Sequence, residues 1–222
     1  MNGHVKSMRF QQFMGPATIP FSSALLSLLL VMALTKSVAA SRDRCDIPLH
    51  PALKLTRHIH KETVDLIQTY KSSQGEILDL PCTVSGSNIP DPSISGLEAS
   101  DRIVNIYTHL QAFFPHFKRV YAQQKDLQLP SSPVLTELNS VWIRSDSLAK
   151  LINNIYQSIF PNRPVPEPVG GPTTLPPPQN IFQQKVYGCA VLKTYKEFLS
   201  NVSQNLRSLK REICRKRIRI NT

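Results

Sequence analysis

Pro161-Asn-Arg-Pro-Val-Pro-Glu-Pro-Val-Gly-Gly-Pro-Thr-Thr-Leu-Pro-Pro-Pro-Gln-Asn180 packs eight prolines and a Gly-Gly pair into twenty residues. Proline lacks the backbone N–H and clashes with the turn before it, so no packed helix or strand forms at this density. The stretch reads as an extended, partly polyproline connection. On both sides of it the chain turns amphipathic. Before it, Val134, Leu138, Val141, Leu148, Ile152, Ile155 and Ile159 recur at near-heptad spacing, broken by Ser145 and with Trp142 beside the stripe. After it, Phe182, Val186, Cys189, Leu192, Leu199, Val202, Leu206, Leu209 and Ile213 line one face, and Lys193, Lys196, Gln204 and Arg211 the other.

Two further segments precede these. Ala52, Leu55, Ile59, Leu66 and Tyr70, with Thr63 in the gap, form a helical stripe that Gly75 ends. Ile103, Ile106, Tyr107, Leu110, Phe113, Phe114 and Phe117 form another, opened by Ser100-Asp101-Arg102 as its cap. Pro115 inside this pattern predicts a kink near Phe114 or a helix end there. Ser132-Pro133 caps the third segment and Asn180 the fourth. The spacing thus predicts helices over about 51–74, 99–122, 133–160 and 181–213.

The connections run long, short, long: about 24, ten and twenty residues. Antiparallel neighbours need only about 2–8, whereas twenty or more can run the ~37 Å length of a 25-residue helix and start the next at the same end. The order predicts an all-α fold: a long-chain four-helix bundle, up-up-down-down, with two long crossover loops.

Lys6 and Arg9, the apolar run Ala24–Leu34 and then Ser37-Val38-Ala39-Ala40 make the three parts of a signal peptide over residues 1–40. Eleven apolar residues fall short of the about 20 a membrane span needs. Cleavage after Ala40 would remove three basic residues and no acid, lowering the net charge from +11 to +8 and leaving one domain, residues 41–222. That chain is expected to be secreted and extracellular.

All four cysteines follow the cut, and an even number in an oxidising compartment suggests two disulfides with three possible connectivities. In the predicted topology Cys45 and Cys214 share one bundle end, and Cys82 and Cys189 the opposite region. The expected pairs are therefore Cys45–Cys214 and Cys82–Cys189.

Little chemistry is written in the chain. The glycines form no phosphate cradle and no Gly-x-Ser-x-Gly elbow occurs, so an enzyme is not expected, and no cofactor is implied. His58, His60 and Glu62 have a metal flavour, but His60 points about 200° from His58 on a helix and two donors do not make a zinc site, so no metal is assigned. The basic tail 214–222, continuing from Lys210, would suit heparan sulfate, an acidic receptor surface or plain solvation. Nucleic acid and membrane insertion are not expected partners. Asn201-Val-Ser203 is the one glycosylation sequon.

The fourth segment, Asn180-Ile-Phe-Gln-Gln-Lys-Val-Tyr-Gly-Cys-Ala-Val-Leu-Lys-Thr-Tyr-Lys-Glu-Phe-Leu199, resembles the last helix of the interleukin-6 family of long-chain cytokines, in the branch of leukaemia inhibitory factor, ciliary neurotrophic factor and cardiotrophin. Tyr70-Lys-Ser-Ser-Gln-Gly-Glu76 with Leu80-Pro-Cys82, and the Gln124-Lys125-Asp126 turn, are similar to other parts of that family. The resemblance implies a cytokine that bridges a leukaemia-inhibitory-factor-type receptor and the family's shared signalling chain, triggering tyrosine-kinase signalling. It implies receptor contact through the Phe-x-x-Lys pair Phe182 and Lys185, and it implies the Cys82–Cys189 bridge as well. Cys214 has no counterpart in that family, so Cys45–Cys214 rests on topology alone. The competing reading is a secreted helix-bundle carrier of lipid or a small molecule, which would need an internal cavity.

Overall fold

A computed structural model describes residues 49–75, 81–84, 88–164, 166, 175 and 179–220, with backbone alone at 214 and 216–220. The signal segment, Cys45 and most of the proline-rich crossover lie outside the described residues. Among the described residues there are four helices: α1 Leu49–Ser72, α2 Ala99–Leu127, α3 Pro133–Ile159 and α4 Ile181–Ile220.

The topology follows from which helices touch. α1 packs on α3 and α4, and α2 packs on α3 and α4. The diagonal pairs α1–α2 and α3–α4 meet only through long side chains across the core, as in Gln124 with Tyr70 and Ser145 with Tyr195. Each packed pair is antiparallel. Thr69 and Glu62 of α1 reach Glu137 and Arg144 of α3. Tyr70, at the end of α1, bonds Lys185 near the start of α4. His116 and Arg102 of α2 meet Tyr187 and Glu212 of α4, and Glu98 before α2 meets Arg163 after α3. The helices therefore run up, up, down, down, in agreement with the lengths of the connections.

The expected stripes form the core. Ala52, Ile59, Leu66 and Tyr70 of α1 are buried with Ile103, Ile106, Leu110, Phe113 and Phe117 of α2, Leu138, Leu148 and Ile152 of α3, and Cys189, Leu192, Leu199 and Val202 of α4. Phe113, Phe117, Tyr195 and Phe198 interlock as tilted and edge-on rings between α2 and α4. Trp142 is half-buried against this core. Ser145 does not break the α3 stripe as the sequence suggested. It is itself buried, donating to the Val141 carbonyl at 2.6 Å and bonding the Tyr195 hydroxyl, so a polar partner replaces an apolar contact.

Three boundaries differ from the sequence reading. The cap of α2 is Glu98 rather than Ser100-Asp101-Arg102, with the Glu98 backbone N–H donating to Asp101 Oδ2. α2 also continues through Pro115 to Leu127, because Phe117, Val120 and Gln124 beyond the proline are all buried and their packing outweighs the one lost backbone bond. α4 runs to Ile220, so the basic tail begins as helix. Gly75 has φ of 81° just past α1, the left-handed geometry that ends a helix and that glycine adopts at little cost. Among the described residues no helix is long and apolar enough to cross a membrane.

Candidate receptor-binding site

The end of the bundle that holds the α1 C-terminus, the α2–α3 connection and the α4 N-terminus presents the sequence-predicted pair. α4 starts where Asn180 and Gln183 cap one another: the Gln183 backbone N–H donates to Asn180 Oδ1 at 2.8 Å, and the Asn180 N–H to Gln183 Oε1 at 3.0 Å. This fixes the first turn. Phe182 within it is 51 % exposed and Ile181 58 % exposed, and neither belongs to the core. Leu129, in the short α2–α3 connection at the same end, is 76 % exposed. Phe182 is therefore the one residue of the expected α4 stripe that the core leaves out, since the stripe begins to bury only at Val186.

Lys185, one turn on, is half-buried and held from two sides. Its Nζ donates to the Gln74 carbonyl at 2.8 Å, satisfying an acceptor at the end of α1. Its own carbonyl accepts from the Tyr70 hydroxyl at 3.1 Å. Gln124 donates to that hydroxyl at 3.1 Å, and Gln74 donates to Gln124 Oε1 at 3.0 Å. Tyr70, Gln74 and Gln124 are all buried, and burial raises the Tyr70 phenol far above its ordinary range, so it stays a neutral donor. Further glutamines extend the network: Gln128 donates to the Ser73 carbonyl and Gln123 to Gln179. The result is a hydrogen-bonded polar floor that holds Lys185, one helical turn from the exposed Phe182.

Gly188 allows α4 to lie this close to α1. A Cβ there would overlap the Tyr70 hydroxyl and ring. One residue further on, Cys189 is bonded to Cys82, tying the α1–α2 connection to α4. That is the second of the two expected bridges. The first, Cys45–Cys214, lies outside the described side chains.

Sequence reasoning missed Tyr70, Gln74 and Gln124 as positioning residues. The signal was present: Gln124 continues the buried series Leu110, Phe113, Phe117, Val120 at helical spacing, and Gln74 follows Tyr70 by four. An amide in a buried register must have partners. Other candidates lie elsewhere. Asn201 is half-buried on α4 and its Nδ2 donates to the Pro92 carbonyl at 3.0 Å. His58 and Glu62 approach to 3.4 Å on the α1 surface, and among the described residues no three His, Cys, Asp or Glu side chains group as metal ligands.

No curated protein matches the chain. The sequence profile of the LIF / OSM family does match, over residues 52–206, from the second turn of α1 to well into α4. Four antiparallel-packed helices in this order and a profile spanning most of the chain agree: the protein belongs to the LIF / OSM family, cytokines of the interleukin-6 type that are not enzymes and that bind cytokine receptors.

Proposed function

We propose that the chain is a secreted ligand that bridges a leukaemia-inhibitory-factor-type receptor and the shared signalling chain, bringing receptor-bound tyrosine kinases together. The observation that supports this most is the exposed Phe182 on the capped first turn of α4, set over a floor that immobilises Lys185. An aromatic projecting from rigid backbone loses little entropy on docking and makes a strong interface anchor. Lys185 would offer its remaining ammonium hydrogens to an acidic receptor group while keeping the Gln74 carbonyl. The carrier reading has less support: two cavities of the described bundle are open to solvent and lined largely by basic and polar side chains.

Phe182→Ala tests the proposal. Loss of an anchor costs about 2 kcal/mol or more of binding, while a half-exposed phenylalanine outside the core leaves the unfolding midpoint almost unchanged. Full potency of a stable Phe182→Ala/Lys185→Ala variant in a receptor-phosphorylation assay would overturn the receptor assignment. Secretion is tested by N-terminal sequencing of protein recovered from medium, which should begin near Ser41. Peptide mapping of the same material should recover Asn201 with or without glycan. With its amide engaged by Pro92, the unmodified form is expected to dominate.

A further inference from the structure

The groove between α1 and α4 runs along the side of the bundle, away from Phe182. Two cavities open in it, of about 220 and 330 Å³. Arg57 and His60 of α1 share the first with Arg207 of α4. Lys71 of α1 shares the second with Lys193 and Lys196 of α4. Antiparallel packing sets these residues opposite one another, so basic side chains recur on both walls over roughly 20 Å, the rise from Arg57 to Lys71 at 1.5 Å per residue.

Among the described residues neither lining contains a carboxylate. Several cations elsewhere are neutralised: Arg102 by Glu212, Arg144 by Glu62, Lys150 by Asp146 and Arg163 by Glu98. Among the described residues, none of Arg57, Lys71, Lys193, Lys196 and Arg207 forms an ion pair. Asp65 of α1 and Glu197 of α4 are exposed but line neither cavity. The two cavities also feel each other, because burial and then the Lys196 charge hold the His60 imidazole below its ordinary pKa. A groove walled by one sign of charge focuses potential and concentrates counter-ions.

We propose that the α1–α4 groove seats a linear sulfated polysaccharide of the heparin type. This goes beyond the receptor reading and shares with it only the extracellular setting in which such polymers occur. A thin chain of fixed negative charges matches cations distributed along two walls, and Ser200, Ser203 and Gln204 add hydrogen-bonding groups to the first cavity. Single-stranded nucleic acid would call for aromatic platforms, and among the described residues His60 is the sole ring in either lining. A membrane surface would call for apolar side chains beside the cations, yet the exposed Leu97, Leu129, Ile143, Ile181 and Phe182 all lie outside both linings.

Binding of the purified chain, produced from its full sequence, to immobilised heparin over a salt series provides the test. Replacing Lys71, Lys193 and Lys196 by Gln should weaken binding about tenfold or more and flatten the dependence of log affinity on log salt, as loss of counter-ion release requires. The milder Lys193→Gln/Lys196→Gln variant should move the same way, and remains informative if the triple variant folds poorly. Lys54→Gln/Lys61→Gln/Lys150→Gln removes equal charge outside the groove and should have a much smaller effect; an equal effect would reduce the binding to net charge and overturn the proposal. So would unchanged binding of the groove variants, or abolition of binding by removing Arg215–Thr222 alone. Desulfated heparin should bind weakly, and equal competition by a single-stranded oligonucleotide would reassign the groove to another polyanion. On cells lacking sulfated glycans the groove variants should signal normally, and Phe182→Ala should keep heparin affinity. A groove variant that loses signalling there would mark an acidic protein partner instead.

Discussion

At the scale of single residues, Gly188 lies directly against Tyr70. Gly188→Ala places a methyl group where the Tyr70 hydroxyl stands, so Tyr70 must move off both Lys185 and Gln124. Denaturant titration should show a loss of about 1–3 kcal/mol, the range for overpacking a filled site. Adding Tyr70→Phe should recover part of it, because the overlap is worst at the hydroxyl; strictly additive losses would show that the two residues do not meet. His116 offers a second test. It is buried against the Tyr187 hydroxyl at 2.6 Å, and burial, aided by the Arg119 charge, lowers its pKa to about 4. The unfolded chain, with an ordinary imidazole near 6.5, then binds the proton more readily than the fold does. The stabilising effect is complete above about pH 6.5 and is lost as pH falls towards 4. His116→Gln should remove this part of the pH dependence, amounting to at most about 3 kcal/mol between the two profiles. Superimposable profiles would mean that His116 does not titrate out of register.

At the scale of helices, the periodicity of apolar residues was enough to place all four segments and most of their buried faces, because burial is what that periodicity records. Local chemistry named the ends correctly where the capping groups are adjacent in sequence, as at Ser132-Pro133 and at Asn180. It failed where packing decides. α2 crosses Pro115 because residues further along are buried by other helices, and Gln124 was placed in a turn beyond the helix because its partners, Tyr70 and Gln74, are some fifty residues away in sequence. Phe182 shows the opposite error: its spacing fits the α4 stripe, yet the bundle ends before it. For the α3–α4 connection, the proline content supports a specific outcome. Deleting Thr173–Pro178 should change stability by less than the ~0.6 kcal/mol expected per halving of a flexible connection. A loss of several kcal/mol on urea unfolding would place that segment against the core.

At the scale of the whole molecule, Cys82–Cys189 closes a loop across 107 residues. Replacing both cysteines by Ala should cost about 2–4 kcal/mol, approaching ~5 if the chain-entropy model holds in full. Non-reducing peptide maps should also join Cys45 to Cys214; a free Cys214 thiol would remove that bridge, and a Cys45–Cys82 peptide would contradict the observed one. The pairing of helices has a bearing on how the chain acquires its shape. Of the four helix–helix interfaces only α2–α3 joins elements adjacent in the chain; the other three unite segments separated by at least one whole helix. The protein is therefore non-local for an all-helical one, and search over long loops, rather than helix formation, should limit its folding rate. The α2–α3 hairpin is the one unit able to form early, while α1, synthesised first, has no partner until α3 exists. Core truncations in α2 and α3 should then slow refolding, and those in α1 should chiefly speed unfolding. A cell making this protein must hold its first helix unpartnered, apolar face outward, while more than half of the chain is still to come.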